Sequence, residues 1–136
     1  MALNTQLADA TVNAQATSLS TLCNSGFIDV YDGTQPTNAN TAIGAQVKGV
    51  ILTLNATAFG APVAGVLTAN AITSGVAIAA ITPTWARIYK SDHTTVVMDV
   101  SAGAAGANLT IGAFTVGTTV TCSSFVHNVR EATSGL

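Results

Sequence analysis

The stretch that most constrains this chain is residues 84–100, TWARIYKSDHTTVVMDV, which holds the single Trp, one of two Tyr and four of the ten charged residues. Trp85, Arg87 and Tyr89 alternate with Ala86 and Ile88. Turn chemistry follows in Lys90, Ser91, Asp92, His93 and Thr94, and Val96, Met98 and Val100 then alternate with Val97 and Asp99. Period-two alternation on both sides of a turn predicts a β-hairpin.

An echo of that hairpin lies upstream in residues 26–36, GFIDVYDGTQP. Setting Tyr31 against Tyr89 aligns Val30 with Ile88, Asp29 with Arg87, Ile28 with Ala86 and Phe27 with Trp85. Each copy then enters a turn that contains Asp. Both strands carry aromatics on one face and aliphatics on the other, so both faces need cover: a sandwich core on one side and part of an N-terminal helix on the other. If the two strands are neighbours, Asp29 and Arg87 meet, and buried charges are normally paired; they are the candidate structural ion pair.

The other elements are read from spacing. Asn4 or Thr5 caps a helix over residues 4–24, with Leu7, Ala10, Ala14 and Leu22 on one side and Leu3 and Leu19 nearby; Asn24, Ser25 and Gly26 end it. Residues 37–46 form a polar loop and 48–54 a dense apolar strand. Residues 55–71 cross between sheets, anchored by Phe59. Further strands are expected at 71–81, closed by Pro83, at 108–111 and at 118–129, while 101–107 is a flexible or tightly packed Ala/Gly passage. Residues 130–136 are expected to fray. The chain thus reads as one domain over 1–136, mainly β: an antiparallel β-sandwich of jelly-roll or immunoglobulin-like type over 26–129, led by one α-helix.

Composition narrows the function. Charged residues make up 7% of the chain, where about 25% is usual. No charge occurs from 49 to 86, and none from 100 to 129 apart from the titratable His127. Two readings of such a surface stand: a neutral, Thr-rich β-protein exterior, or an exterior covered by copies of itself or by a partner. Four basic residues and a net charge of −2 give no patch for phosphates, so no nucleic-acid partner is expected. Apolar runs such as 76–81 are far shorter than the ~20 residues that span a bilayer, so no membrane partner is expected either. No signal peptide is visible, and synthesis in a cytoplasm follows. Cys23 and Cys122 are read as reduced, buried small residues, with a disulfide between them as the alternative.

No catalytic, cofactor-binding or metal-ligating constellation emerges. Neither His has a second ligand at a recognised spacing, and residues 29–33 lack the later oxygen ligands of a calcium loop. Asp92 and His93 are adjacent in a turn, where solvated side chains are a better reading than a base and its orienter. Trp85, Tyr89 and Phe59 are the interface or platform candidates: aromatics either for core and interface burial or for a sugar-binding platform.

The segments FIDVYDGTQP at 27–36, TAFGA at 57–61, GVLTA at 65–69 and WARIY at 85–89, in that order after a leading helix, resemble a group of small structural proteins encoded by tailed bacteriophages. In that group an Arg-Ile-Tyr strand precedes the Asp-Gly-Thr-Gln-Pro turn; here Asp29-Val30-Tyr31 stands there and Arg87-Ile88-Tyr89 keeps the pattern. The resemblance implies a non-enzymatic virion component, assembled in the host cytoplasm. A capsid decoration or cement protein is the favoured form, homo-oligomeric with a trimer as the first expectation, and bound to the major capsid protein or other virion proteins. The alternative is a tail, neck or fibre component, including a glycan-binding adhesin that presents Trp85, Tyr89 or the 37–46 loop.

Overall fold

In the computed structural model, which describes residues 6–129, the chain is mainly β with one N-terminal helix. The helix α1 spans Asp9–Cys23, and the strands are β1 Phe27–Tyr31, β2 Lys48–Thr53, β3 Val66–Thr68, β4 Gly75–Val76, β5 Trp85–Tyr89, β6 Val96–Gly103, β7 Leu109–Thr110, β8 Thr119–Val120 and β9 Ser124–Asn128. Seven strands form one sheet in the order β2-β1-β5-β6-β7-β9-β3, and β4 pairs with β8 in a small second sheet. The pairings are mainly antiparallel, as expected, but the sheet is mixed, because β6 and β7 run parallel, Ala102 opposite Leu109 and Gly103 opposite Thr110. The short 103–109 connection returns the chain in the same direction, and β9 then pairs antiparallel to β7. The expected strand over 71–81 contracts to the two residues of β4, and that over 118–129 divides into β8 and β9.

The predicted hairpin is present as β5 and β6, and β1 lies beside it in register: Phe27 faces Tyr89, Asp29 faces Arg87 and Tyr31 faces Trp85. The strict alternation puts Ile28, Val30, Ala86 and Ile88 on one face. There they join Val50, Leu52, Val100, Leu109 and Phe125 in the hydrophobic core. Phe59 packs edge-on against Phe125 with ring centroids 5.2 Å apart and is buried, so it anchors the crossing segment inside the core.

The helix is real but turned from its expected orientation. Its buried residues are Val12, Ala16 and Cys23, with Leu19 packed against the core, whereas Leu7 and Leu22 are exposed. Positions 12, 16, 19 and 23 follow the i, i+4, i+7, i+11 spacing of one helical stripe. Ala8 stands at the N-cap without a side-chain cap, Asp9 puts an acid in the first turn, and the Asn4 and Thr5 caps lie outside the described residues. The helix lies against β3 and β6 and joins the aliphatic core side, rather than covering part of the face opposite the core as expected. Asn13 Oδ1 accepts the Gly65 N–H at 2.9 Å and ties the helix to the tight turn before β3.

Both sheet edges are covered by the chain itself, which blunts the open-edge liability of a β-protein. On β2, Thr53 and Thr73 exchange backbone hydrogen bonds and the Ile78 N–H donates to the Gly49 carbonyl. Gly75 permits that approach, since a Cβ there would collide with the Ile51 carbonyl oxygen. On β3, the Gly60 N–H donates to the Thr68 carbonyl and Phe59 bridges Ala69. Among the described residues, no helix is long and apolar enough to cross a membrane.

Candidate functional site

The opposite face of β1, β5 and β6 gathers four of the ten charges of the sequence into one row and its flank: Asp29, Lys48, Arg87 and Asp99. Alternation dictates this. Residues 29, 87 and 99 stand in register across three strands, so their side chains emerge side by side on the face away from the core. Asp29 and Arg87 are nonetheless only 1% and 3% exposed, a burial that charged side chains tolerate only when paired.

The pairing corrects the sequence expectation. Asp29 and Arg87 are opposite neighbours but not ion-pair partners. Arg87 makes a two-pronged bridge to Asp99, Nε to Oδ1 at 2.7 Å and Nη2 to Oδ2 at 2.9 Å, and its Nη1 donates to the Thr41 carbonyl at 2.7 Å. The bound Asp99 carboxylate raises the already high pKa of Arg87, against the opposing effect of burial. Asp29 instead takes Lys48 Nζ on Oδ2 at 3.0 Å and His93 Nε2 on Oδ1 at 2.8 Å. Every buried polar side-chain atom among the described residues has a partner.

Aromatic rings wall the cluster. Tyr31 and Trp85 stack with centroids 4.6 Å apart at 13°, and the Arg87 guanidinium sits 5.5 Å from the Trp85 ring centre. Trp85 Nε1 donates to the Asp32 carbonyl at 3.1 Å. With its ring wholly buried, Trp85 is no sugar platform; it is the largest buried side chain of the outer face. Burial, with Asp29 and Tyr89 adding to it, pushes the Tyr31 phenol well above its ordinary pKa. Tyr89 is half-buried, edge-on to His93 at 5.2 Å.

His93, expected as a solvated turn residue, is partly buried. Its backbone takes φ 54°, a left-handed conformation that only a few per cent of non-glycine residues adopt. The turn thereby folds the imidazole back over β1, where it stacks on Phe27 at 4.3 Å and reaches Asp29. Asp92 has the capping role in that turn. Its carboxylate accepts from the Thr94 and Thr95 N–H groups and the Thr95 hydroxyl, which together hold its pKa down to about 2. The 37–46 loop, expected as a free presenter, supplies Thr41 to Arg87; Gln46 and Asp32 pin its end through the Thr34 carbonyl and the Val47 N–H.

Cys23 and Cys122 are both free thiols and buried; desolvation pushes Cys23 up to about 11. Among the described residues, no three His, Cys, Asp or Glu side chains are grouped to hold a metal ion. Exposed apolar side chains occur singly at Leu7, Leu22, Val47 and Val63, and three more lie together on one lobe. Val76, Ile78 and Val116 sit 60–64% exposed on the β4 and β8 lobe, where the Ala77 N–H donates to Thr118 and the Gly117 N–H to Ala77. That lobe falls within the two segments without Lys, Arg, Asp or Glu, 49–86 and 100–129. Compared with known proteins, the chain matches no family model, no curated protein and no solved structure.

Proposed function

We propose that this protein is a non-enzymatic structural component of a tailed-bacteriophage virion, acting as a capsid decoration or cement protein. The observation that carries the reading is the division of its surface chemistry. Asp29, Lys48, Arg87 and Asp99 neutralise one another on a walled sheet face, while Val76, Ile78 and Val116 stand exposed on a lobe without charge. A neutral apolar lobe is suited to burial against a protein lattice, typically at about 800 Å² per partner, and repetition over many sites supplies avidity that one contact lacks. The sequence segments that resemble phage structural proteins point the same way.

In this reading the partners are the major capsid protein and further copies of the chain, with a homotrimer as the unit. The fold is read as a sandwich: β6 pairs first with β5 and then, at its end, with β7, which supports two packed halves of jelly-roll or immunoglobulin-like type joined through that strand. For the adhesin alternative, burial removes Trp85 as a presented ring and leaves Tyr89 and the 37–46 loop as its presenting groups. Reconstitution tests the assignment. Purified protein added to particles that lack it is expected to bind at saturable lattice sites, and Val76→Lys combined with Val116→Lys is expected to abolish binding while the far-ultraviolet spectrum stays unchanged. Equal binding by that variant would remove the lobe from the contact.

A further inference from the structure

From the grouping of Lys48, Asp29 and His93 we infer that Lys48 and Asp29 are the two ends of an intramolecular amide cross-link, formed spontaneously between β2 and β1. This inference is independent of the virion reading. Lys48 Nζ lies 3.0 Å from Asp29 Oδ2, on adjacent strands of the same sheet, so the nucleophile is already held beside the carboxyl carbon by the backbone ladder. The carboxyl group is 2% exposed and shielded by neighbouring rings, with Phe27 stacked on His93 at 4.3 Å. His93 Nε2 touches the other carboxyl oxygen at 2.8 Å, placed to protonate it as it departs. Arg87, the nearest alternative partner, has both prongs occupied by Asp99 and its remaining nitrogen by Thr41, which leaves Asp29 to Lys48.

The step balances without a co-reactant. Lys48 first passes one ammonium proton to the Asp29 carboxylate across their 3.0 Å contact, which frees the Nζ lone pair. The Nζ–Cγ bond then forms, Nζ gives up a second proton, one C–O bond of Asp29 breaks, and that oxygen leaves with two protons as one water, with nothing oxidised or reduced. His93 lends its Nε2 proton to the departing oxygen and regains the second proton given up by Nζ. Lys48 is one-third exposed, which gives the water a way out. Holding the reactants in contact converts a bimolecular condensation into an intramolecular one. The product also removes two opposite charges from a site where burying ions is costly.

Intact mass after denaturation reads the reaction directly. The wild-type chain, purified and held folded at neutral pH for days, is expected to weigh one water less than its sequence, and peptide mapping is expected to join the peptides that contain Asp29 and Lys48. Lys48→Arg and Asp29→Ala are expected to keep the full mass. His93→Ala, which retains both ends, is expected to slow the loss about 10²-fold, the scale of general acid catalysis. Asp32-Gly33 can also lose water by closing to a succinimide, so a loss that persists in Lys48→Arg overturns the inference. Wild-type protein that keeps its full mass overturns it too, whatever the variants do.

Discussion

Asp29 and Arg87 face one another across β1 and β5, both buried, and yet each is neutralised by a different residue: Arg87 by Asp99 and Asp29 by Lys48. The row therefore runs negative, positive, negative across three strands, with Lys48 at its flank. An ion network of this kind fixes register. A one-residue slip of β1 would drive Asp29 into the aliphatic core and expose Ile28.

A double-mutant cycle distinguishes the two pairings. Arg87→Ala is expected to destabilise by about 3–5 kcal/mol, because it strands the Asp99 carboxylate in a buried site. Arg87→Ala with Asp99→Ala should cost clearly less than the sum of the single changes, whereas Arg87→Ala with Asp29→Ala should couple more weakly. Urea unfolding of the six proteins measures this, and stronger coupling to Asp29 than to Asp99 would refute the pairing described.

The arrangement was only partly legible in the sequence, and the reasons are physical. Alternation in β5 and β6 is a local signal, so the hairpin and its two-faced character could be read directly. Asp99 was not legible as the partner, since a regular hairpin turning at Lys90 to Thr95 sets Met98 opposite Arg87; the register shift between Ile88 and Tyr89 brings Asp99 there instead. His93 was hidden because its placement depends on a left-handed turn conformation that the residue type does not announce. The helix stripe of Val12, Ala16, Leu19 and Cys23 competed with the larger Leu7 and Leu22, and burial followed spacing rather than size. The parallel step from β6 to β7 had no signal at all, because the Ala/Gly passage between them has no period.

His93 offers a test in which two small residues should differ. Both His93→Ala and His93→Gly remove the stack on Phe27 and the bond to Asp29, but φ 54° suits glycine and strains alanine. The glycine variant is expected to be more stable than the alanine variant by about 1 kcal/mol, the usual cost of a side chain in left-handed backbone. Thermal or urea unfolding gives the order, and a more stable alanine variant would contradict the turn geometry.

Thiol chemistry reports on the core. Cys23 is fully buried and its pKa is raised to about 11. A raised thiol pKa means that the fold favours the neutral form. Its contribution to stability is complete below the unfolded value near 9 and is lost as pH rises towards 11. Alkylation at mildly alkaline pH is expected to label neither Cys23 nor Cys122 in the folded protein and both in urea. Rapid labelling of the folded chain would place at least one thiol at the surface.

Copy number decides whether the chain acts as the proposed lattice-bound decoration protein. Quantifying this chain against the major capsid protein in purified particles is expected to give hundreds of copies per particle, in a simple ratio to the capsid subunits. A dozen or fewer copies would contradict the claim and place the protein at the neck or tail.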